Sequence, residues 1–317
     1  MKEDTNRKIL QLSKLHFNLM MAVCVIFWAF AFPLIKIGLE ELSFINLTIM
    51  RFFIVVIVIL VILLLQYKRF SKIHKKDILP IFLLGFFGVI VYHLGLNYGE
   101  RLISPGTASL IIATIPIFIV ILARVFLKEK IGMKKLIGIT IAICGVILIS
   151  LWGTLEATKE SIIEPINQME YIYAPIAVLI AAIMGAIYTI AGKKLLERYS
   201  GFSLTIYAML FGSIGLIPFL NKSLIYELSN LSSTGWFAII FLGIFSTIIG
   251  YGIWYIALEM KSASEISIYL YAIPVITTII SYIWLGYHIT GYYFLGGSLI
   301  IFGLIFVNFK NNNKKID

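Results

Sequence analysis

Charge is the scarcest property of this chain. Of its 317 residues only 13% are Asp, Glu, Lys or Arg, about half the share a soluble domain carries. That excludes an ordinary water-soluble globule. Carboxylates are rarest where they would be most telling. Asp77, Glu100, Glu129, Glu197, Glu227, Glu259 and Glu265 all stand at the ends of apolar runs, and none falls deep inside one. Pumps driven by protons or cations use an intramembrane carboxylate to bind and release the coupling ion, so the pattern leans toward facilitated diffusion or exchange. Histidines number four, and His16, His74, His93 and His288 are scattered with no cysteine beside them. No metal site is expected, and no cofactor. The two cysteines, Cys24 and Cys144, fall inside apolar runs and read as small packing residues rather than a disulfide. No clustered set of His and carboxylates suits an intramembrane lipid-modifying enzyme.

Apolar residues, 60% of the chain, fill the space charge has left. Charge-free runs include Phe17–Ile35, Ile78–Gly99, Leu102–Ala123, Leu136–Leu155, Tyr171–Gly192 and Leu228–Leu258. A helix needs about 20 apolar residues to cross hydrocarbon. The last run, Ile266–Phe309, is long enough for two crossings, with the turn expected at Gly286–Gly291. The count is ten. Lipid leaves every backbone group to be paired internally, and these runs do not alternate as barrel strands do, so the crossings are helices.

The formal net charge of +10 would suggest nucleic acid in a soluble protein. Here its distribution points to topology and excludes that partner. With the N-terminus inside, 21 of 26 Lys and Arg fall in cytoplasmic segments, and only Lys36, Arg51, Arg101, Lys159 and Lys222 remain for the other side. That split obeys the positive-inside rule and puts both termini in the cytoplasm. The basic leader (Lys2, Arg7, Lys8, Lys14) reads as a tail, not a cleavable signal.

The chain also repeats itself. A shift of 158 residues lays Gly85 on Gly243, Ser104 on Ser262, Pro116 on Pro274, Gly138 on Gly296 and Gly145 on Gly303; a shift of 157 lays Ala29 on Ala186 and Lys36 on Lys193. Five crossings per copy force the second copy to enter from the opposite side. The expected architecture is an all-α polytopic membrane protein of ten transmembrane helices in two inverted five-helix repeats. Its segments are a tail at 1–16, a first repeat at 17–152, an external linker at 153–170, a second repeat at 171–309 and a tail at 310–317.

At Trp28-Ala29-Phe30-Ala31-Phe32 with Lys36, at Met50-Arg51-Phe52, and at Asn97-Tyr98, Ser104, Ala108, Pro116, Leu127-Lys128-Glu129 and Gly138, the chain resembles the EamA-type permeases of the drug/metabolite transporter superfamily. The second copy of that signature reads as Tyr251 through Leu258, Ser262-Ala263-Ser264, Pro274 and Gly296. The chain departs from the family at Ala31, where an Asn is common, and at Tyr287, where a Glu is usual. The resemblance implies two inverted bundles around a central cavity in the plasma membrane. It implies a secondary transporter of small metabolites, often amino acids or related compounds, commonly outward, by alternating access. A facilitative carrier of phosphorylated or nucleotide-like metabolites is the alternative.

Candidate cavity residues follow from polar or aromatic character inside the crossings. Arg51 and Lys36 are the deep cations, able to meet a substrate carboxylate or phosphate, or else to snorkel. His93 and Asn97 are four apart on one helix, Tyr98 follows, and the repeat mates of the first two are Tyr251 and Tyr255. Trp28, Tyr188, Trp254, Tyr255 and Tyr269 offer aromatic walls. The paired Pro116 and Pro274 read as hinges. The implied partners are a small-molecule substrate and the bilayer; nothing in the sequence selects an oligomeric state.

Overall fold

The computed structural model describes residues 14–66, 70–128, 132–148, 168–286 and 291–308. The turn expected at 287–290, most of the linker and both tails lie outside them. The described chain is helical throughout. We label the helices α1 (Lys14–Glu41), α2 (Phe44–Gln66), α3 (Lys75–Glu100), α4 (Pro105–Phe126), α5 (Met133–Leu148), α6 (Gln168–Leu195), α7 (Gly201–Ile214), α8 (Ser233–Met260), α9 (Ala263–Leu285) and α10 (Gly291–Asn308). Eight are long and apolar enough to cross a membrane, and α5 and α10 contribute shorter apolar helices. The protein is thus a multi-pass membrane protein whose described residues hold ten apolar helices in two inverted repeats of five, with a short helix, Ser223–Ser229, between α7 and α8.

The repeats interlock rather than sit side by side. Helix α3 packs on α6, and α6 on α4; in mirror fashion α8 and α9 pack on α1. Each group therefore draws helices from both repeats. Helices α2 and α7 contact each other and both α3 and α8. Helix α5 lies against α10 so closely that a side chain at Gly145 would come 2.5 Å from the Gly296 carbonyl. We call the end carrying the lysine-rich turns the basic end.

Irregular backbone recurs at matching positions of the two repeats. Ser104 and Ser262 both cap a helix start, accepting from the amides of Thr107 and Glu265, the side-chain oxygen satisfying a donor that lacks a helical partner. Helix α3 loosens into a π segment at Phe86–Val91, and α8 does so at Leu242–Ile249. Helix α4 breaks after Ile112 and resumes at Ile115 with Pro116 in its first turn. Helix α9 passes through a 3₁₀ stretch, Ser267–Tyr271, and resumes at Ala272 ahead of Pro274. The paired prolines thus open new helical segments, where a missing N–H costs nothing.

The lysines matched by the repeat do matching work. Lys36 Nζ donates to the carbonyls of Glu100, Arg101 and Ile103 at 3.1, 3.2 and 3.5 Å. Lys193 Nζ donates to those of Leu258 and Lys261, the latter at 3.0 Å. Each ammonium neutralises the carbonyl end of a helix, α3 or α8, favourably placed against its dipole. Polar ties join the repeats at both ends. At the basic end Arg198 lies 2.9 Å from Asp77, and Tyr199 donates to the same carboxylate at 2.9 Å. At the other, Glu41 accepts from the amide and hydroxyl of Ser232, both at 2.6 Å.

Charge-assisted hydrogen bonds are worth about 1.5–3 kcal/mol each. Lys36→Met and Lys193→Met are each expected to lower stability by about that amount in a detergent unfolding titration. Because the two caps share no partner, the double variant should show roughly the sum.

Candidate functional site

A cavity of about 60 Å³ lies between the two helix groups. Its wall draws on α1 (Trp28, Phe32), α2 (Arg51), α3 (Tyr92, His93), α6 (Tyr188, Thr189) and α8 (Tyr251, Trp254). At about 10–15 Å³ per water, it has room for only a few waters.

Aromatic rings build most of the wall. Trp28 stands 5.3 Å from both Tyr251 and Trp254, and Tyr188 stands 5.5 Å from Tyr251 and 5.2 Å from Tyr255, measured between ring centroids. Hydrogen bonds fix their tilt. Trp28 Nε1 donates to the Ser246 carbonyl at 2.9 Å, Trp254 Nε1 to Thr189 Oγ1 at 3.2 Å, and Tyr255 Oη to the Tyr188 carbonyl at 3.1 Å. Glycine makes the rings fit. A Cβ at Gly88 would come 2.1 Å from the Tyr188 ring, and one at Gly250 would lie 2.6 Å from Trp28 Nε1.

Arg51 is 2% exposed and does not reach for the headgroups. Its Nε donates to Thr247 Oγ1 at 2.8 Å, and Thr247 in turn donates to the Leu242 carbonyl five residues back, at 2.7 Å. Leu242 and Thr247 both belong to the π segment of α8, so the partner of the cation stands on an irregular turn. His93 packs against Phe52 and Tyr92, and its Nε2 faces Tyr251 Oη at 3.4 Å. His93 and Tyr251 are repeat mates, so the two halves meet across the cavity at corresponding positions. His93 Nδ1 has no hydrogen-bond partner.

Five of the ten residues expected from sequence line this cavity: Trp28, Arg51, His93, Tyr188 and Trp254. The other five stand apart from its wall. Asn97 turns toward α2 and donates to Thr48 Oγ1 at 2.9 Å. Tyr98 packs on Phe44 and under Arg101. Lys36 is the α3 cap already described. Tyr255 supports Tyr188 from behind. Tyr269 donates to Asn18 at 2.8 Å, beside Phe17. The hinge prolines also stand outside the wall, although Ile115 and Ile273, their neighbours, belong to it. Sequence reasoning missed Tyr92, Thr189 and Gly88. On α3 the lining residues 88, 92 and 96 are spaced by four; placing His93 and Asn97 on one face chose the neighbouring stripe.

Comparison with known proteins agrees with this architecture. The model of the EamA-like transporter family matches residues 17–151 and 172–309. An uncharacterized transporter of Archaeoglobus fulgidus is 39% identical, covering 91% of this chain and 97% of its own. The uncharacterized transporter YdfC of Bacillus subtilis is 33% identical over 90% of this chain and 88% of its own. A protein of Streptantibioticus cattleyicolor named a probable terminal-alkyne amino-acid exporter is 29% identical over 91% and 92%. A solved crystal structure shares the fold with a TM-score of 0.70 at 17% identity, covering 93% of this chain and 97% of that one.

The Gly88 contact is open to test. Gly88→Ala is expected to push the Tyr188 ring into the cavity and cut transport in proteoliposomes at least tenfold. Its gel-filtration profile should match the parent, since the ring has empty volume to enter.

Proposed function

The chain belongs to the EamA-like transporter family, and on that premise we propose that it carries amino acids or related small metabolites outward across the plasma membrane. It is a transporter, not an enzyme. The observation that carries the substrate reading is a buried guanidinium, Arg51, bordering a cavity otherwise walled by Trp28, Tyr188, Tyr251 and Trp254. Such a pairing suits a carboxylate at one end of the substrate and an apolar body at the other. The relative named as an amino-acid exporter points the same way. His93 Nδ1 supplies a further polar contact.

The small size of the cavity supports alternating access. The α3–α4–α6 group separates from the α1–α8–α9 group to admit the substrate, and the matched breaks in α4 and α9, with Pro116 and Pro274, are where the helices bend. The ties at Asp77–Arg198 and Glu41–Ser232 hold the repeats together at opposite ends. With the basic end in the cytoplasm, as the charge bias favours, export runs from that end to the other.

Purified protein in liposomes preloaded with single radiolabelled amino acids tests this reading. Efflux of one amino acid class is expected. Arg51→Ala should reduce it at least tenfold with normal membrane insertion, whereas Asn97→Ala, one helix face away, should reduce it less. Efflux of phosphorylated metabolites instead, still dependent on Arg51, would replace the amino-acid reading with the phosphate one.

A further inference from the structure

Glu100 ends α3 yet is 0% exposed. Among the described residues neither of its carboxyl oxygens has a hydrogen-bond partner. That is costly for a carboxylate and tolerable for the neutral acid. The nearest cation does not help. Lys36 has three N–H donors, and they are directed to three backbone carbonyls, one of them that of Glu100 itself. None is left for the carboxyl group.

The surroundings are otherwise sparsely charged. Helix α1 presents Lys36 and α2 presents Arg51, both in electrostatic reach of Glu100. The same segment adds Tyr92 and Arg101. Helix α6 approaches with Ala174 and Val178 at Gly99, and has no charge from Tyr173 until Lys193. Helix α4 has none before Arg124. The repeat mate of Glu100 is Leu258, whose carbonyl receives Lys193. The protein therefore has two matched lysine caps, and the one away from the basic end has the fully buried carboxyl group of Glu100 beside it.

We propose that Glu100 is a proton-binding site that couples proton movement to opening of the bundle at the end opposite the lysine-rich turns. The proposal rests on the alternating-access reading given above. In the closed arrangement Glu100 is the acid and Lys36 stays on the α3 carbonyls. When α1 parts from α3, water reaches the carboxyl group and accepts its proton. The carboxylate then draws the Lys36 ammonium off the carbonyls and pairs with it. Closure returns a proton from water to Glu100 and Lys36 to its cap. One proton is released on opening and one is taken up on closing. Acidity at that end favours closure, and each pH unit shifts the open-to-closed ratio by up to about tenfold.

Two measurements on the full-length protein test the proposal. Infrared difference spectra across a pH titration in nanodiscs should show a protonated carboxyl band lost as pH rises. Glu100→Gln should lack it, and Glu100→Asp should retain it. In proteoliposomes loaded with phenylalanine, acidifying the solution on both sides should slow efflux by the parent protein at least fivefold, with no net proton transfer across the membrane, because each cycle releases and rebinds one proton at the same end. Efflux by E100Q should be the same at every pH. A carboxyl band that persists in E100Q, or an E100Q efflux that follows pH as the parent does, would overturn the proposal. If phenylalanine does not move in any variant but the band is lost in E100Q alone, the proton site stands and the amino-acid reading falls.

Discussion

Hydrocarbon supplies no hydrogen bonds, so each polar group carried into the membrane must find its partner within the protein. Several features of this chain lie where a helix ends or departs from regular geometry, and named side chains supply partners there. Ser104 and Ser262 receive the first free amides of α4 and α9. Lys36 and Lys193 receive the last free carbonyls of α3 and α8. Thr247, within the π segment of α8, donates to the Leu242 carbonyl and accepts from Arg51.

The matched repairs show how duplication has been used. Devices that hold the backbone, the serine caps, lysine caps and π segments, recur in both halves. Devices that face the cavity do not. Arg51 has no cationic mate and His93 meets a tyrosine; Glu100, outside the cavity wall, corresponds to Leu258. Symmetry governs the scaffold and its motion, while asymmetry confers selectivity and direction.

The ten crossings, the internal repeat and the family were legible in the sequence because hydropathy and proline and glycine register survive without coordinates. The cavity was only half legible. In helices apolar on every side, nothing in the pattern marks which face looks inward, so Asn97 and Tyr269 were as eligible as Tyr92. Arg51 was found because a charge inside a crossing is conspicuous anywhere. Glu100 was set aside because it ends a helix, yet the Lys36 cap and the start of α4 close over that end, and position along a helix proved a poor measure of burial. The lysine pair was visible as a repeat, but its capping role was not, because carbonyl ends are not written in side chains.

Size has been traded between the halves at one pair of contacts. Trp28 of α1 rests over Gly250 of α8; their counterparts by the repeat are Gly185 of α6 and Tyr92 of α3, and a Cβ at Gly185 would come 3.2 Å from the Tyr92 ring. The bulky partner thus sits on the first helix in one half and on the third in the other. Two identical first halves, assembled as an antiparallel homodimer, would press a second indole against Tyr92 where hydrogen now stands. The two halves have exchanged volume at this contact, so a second copy of the first half could not take the place of the second.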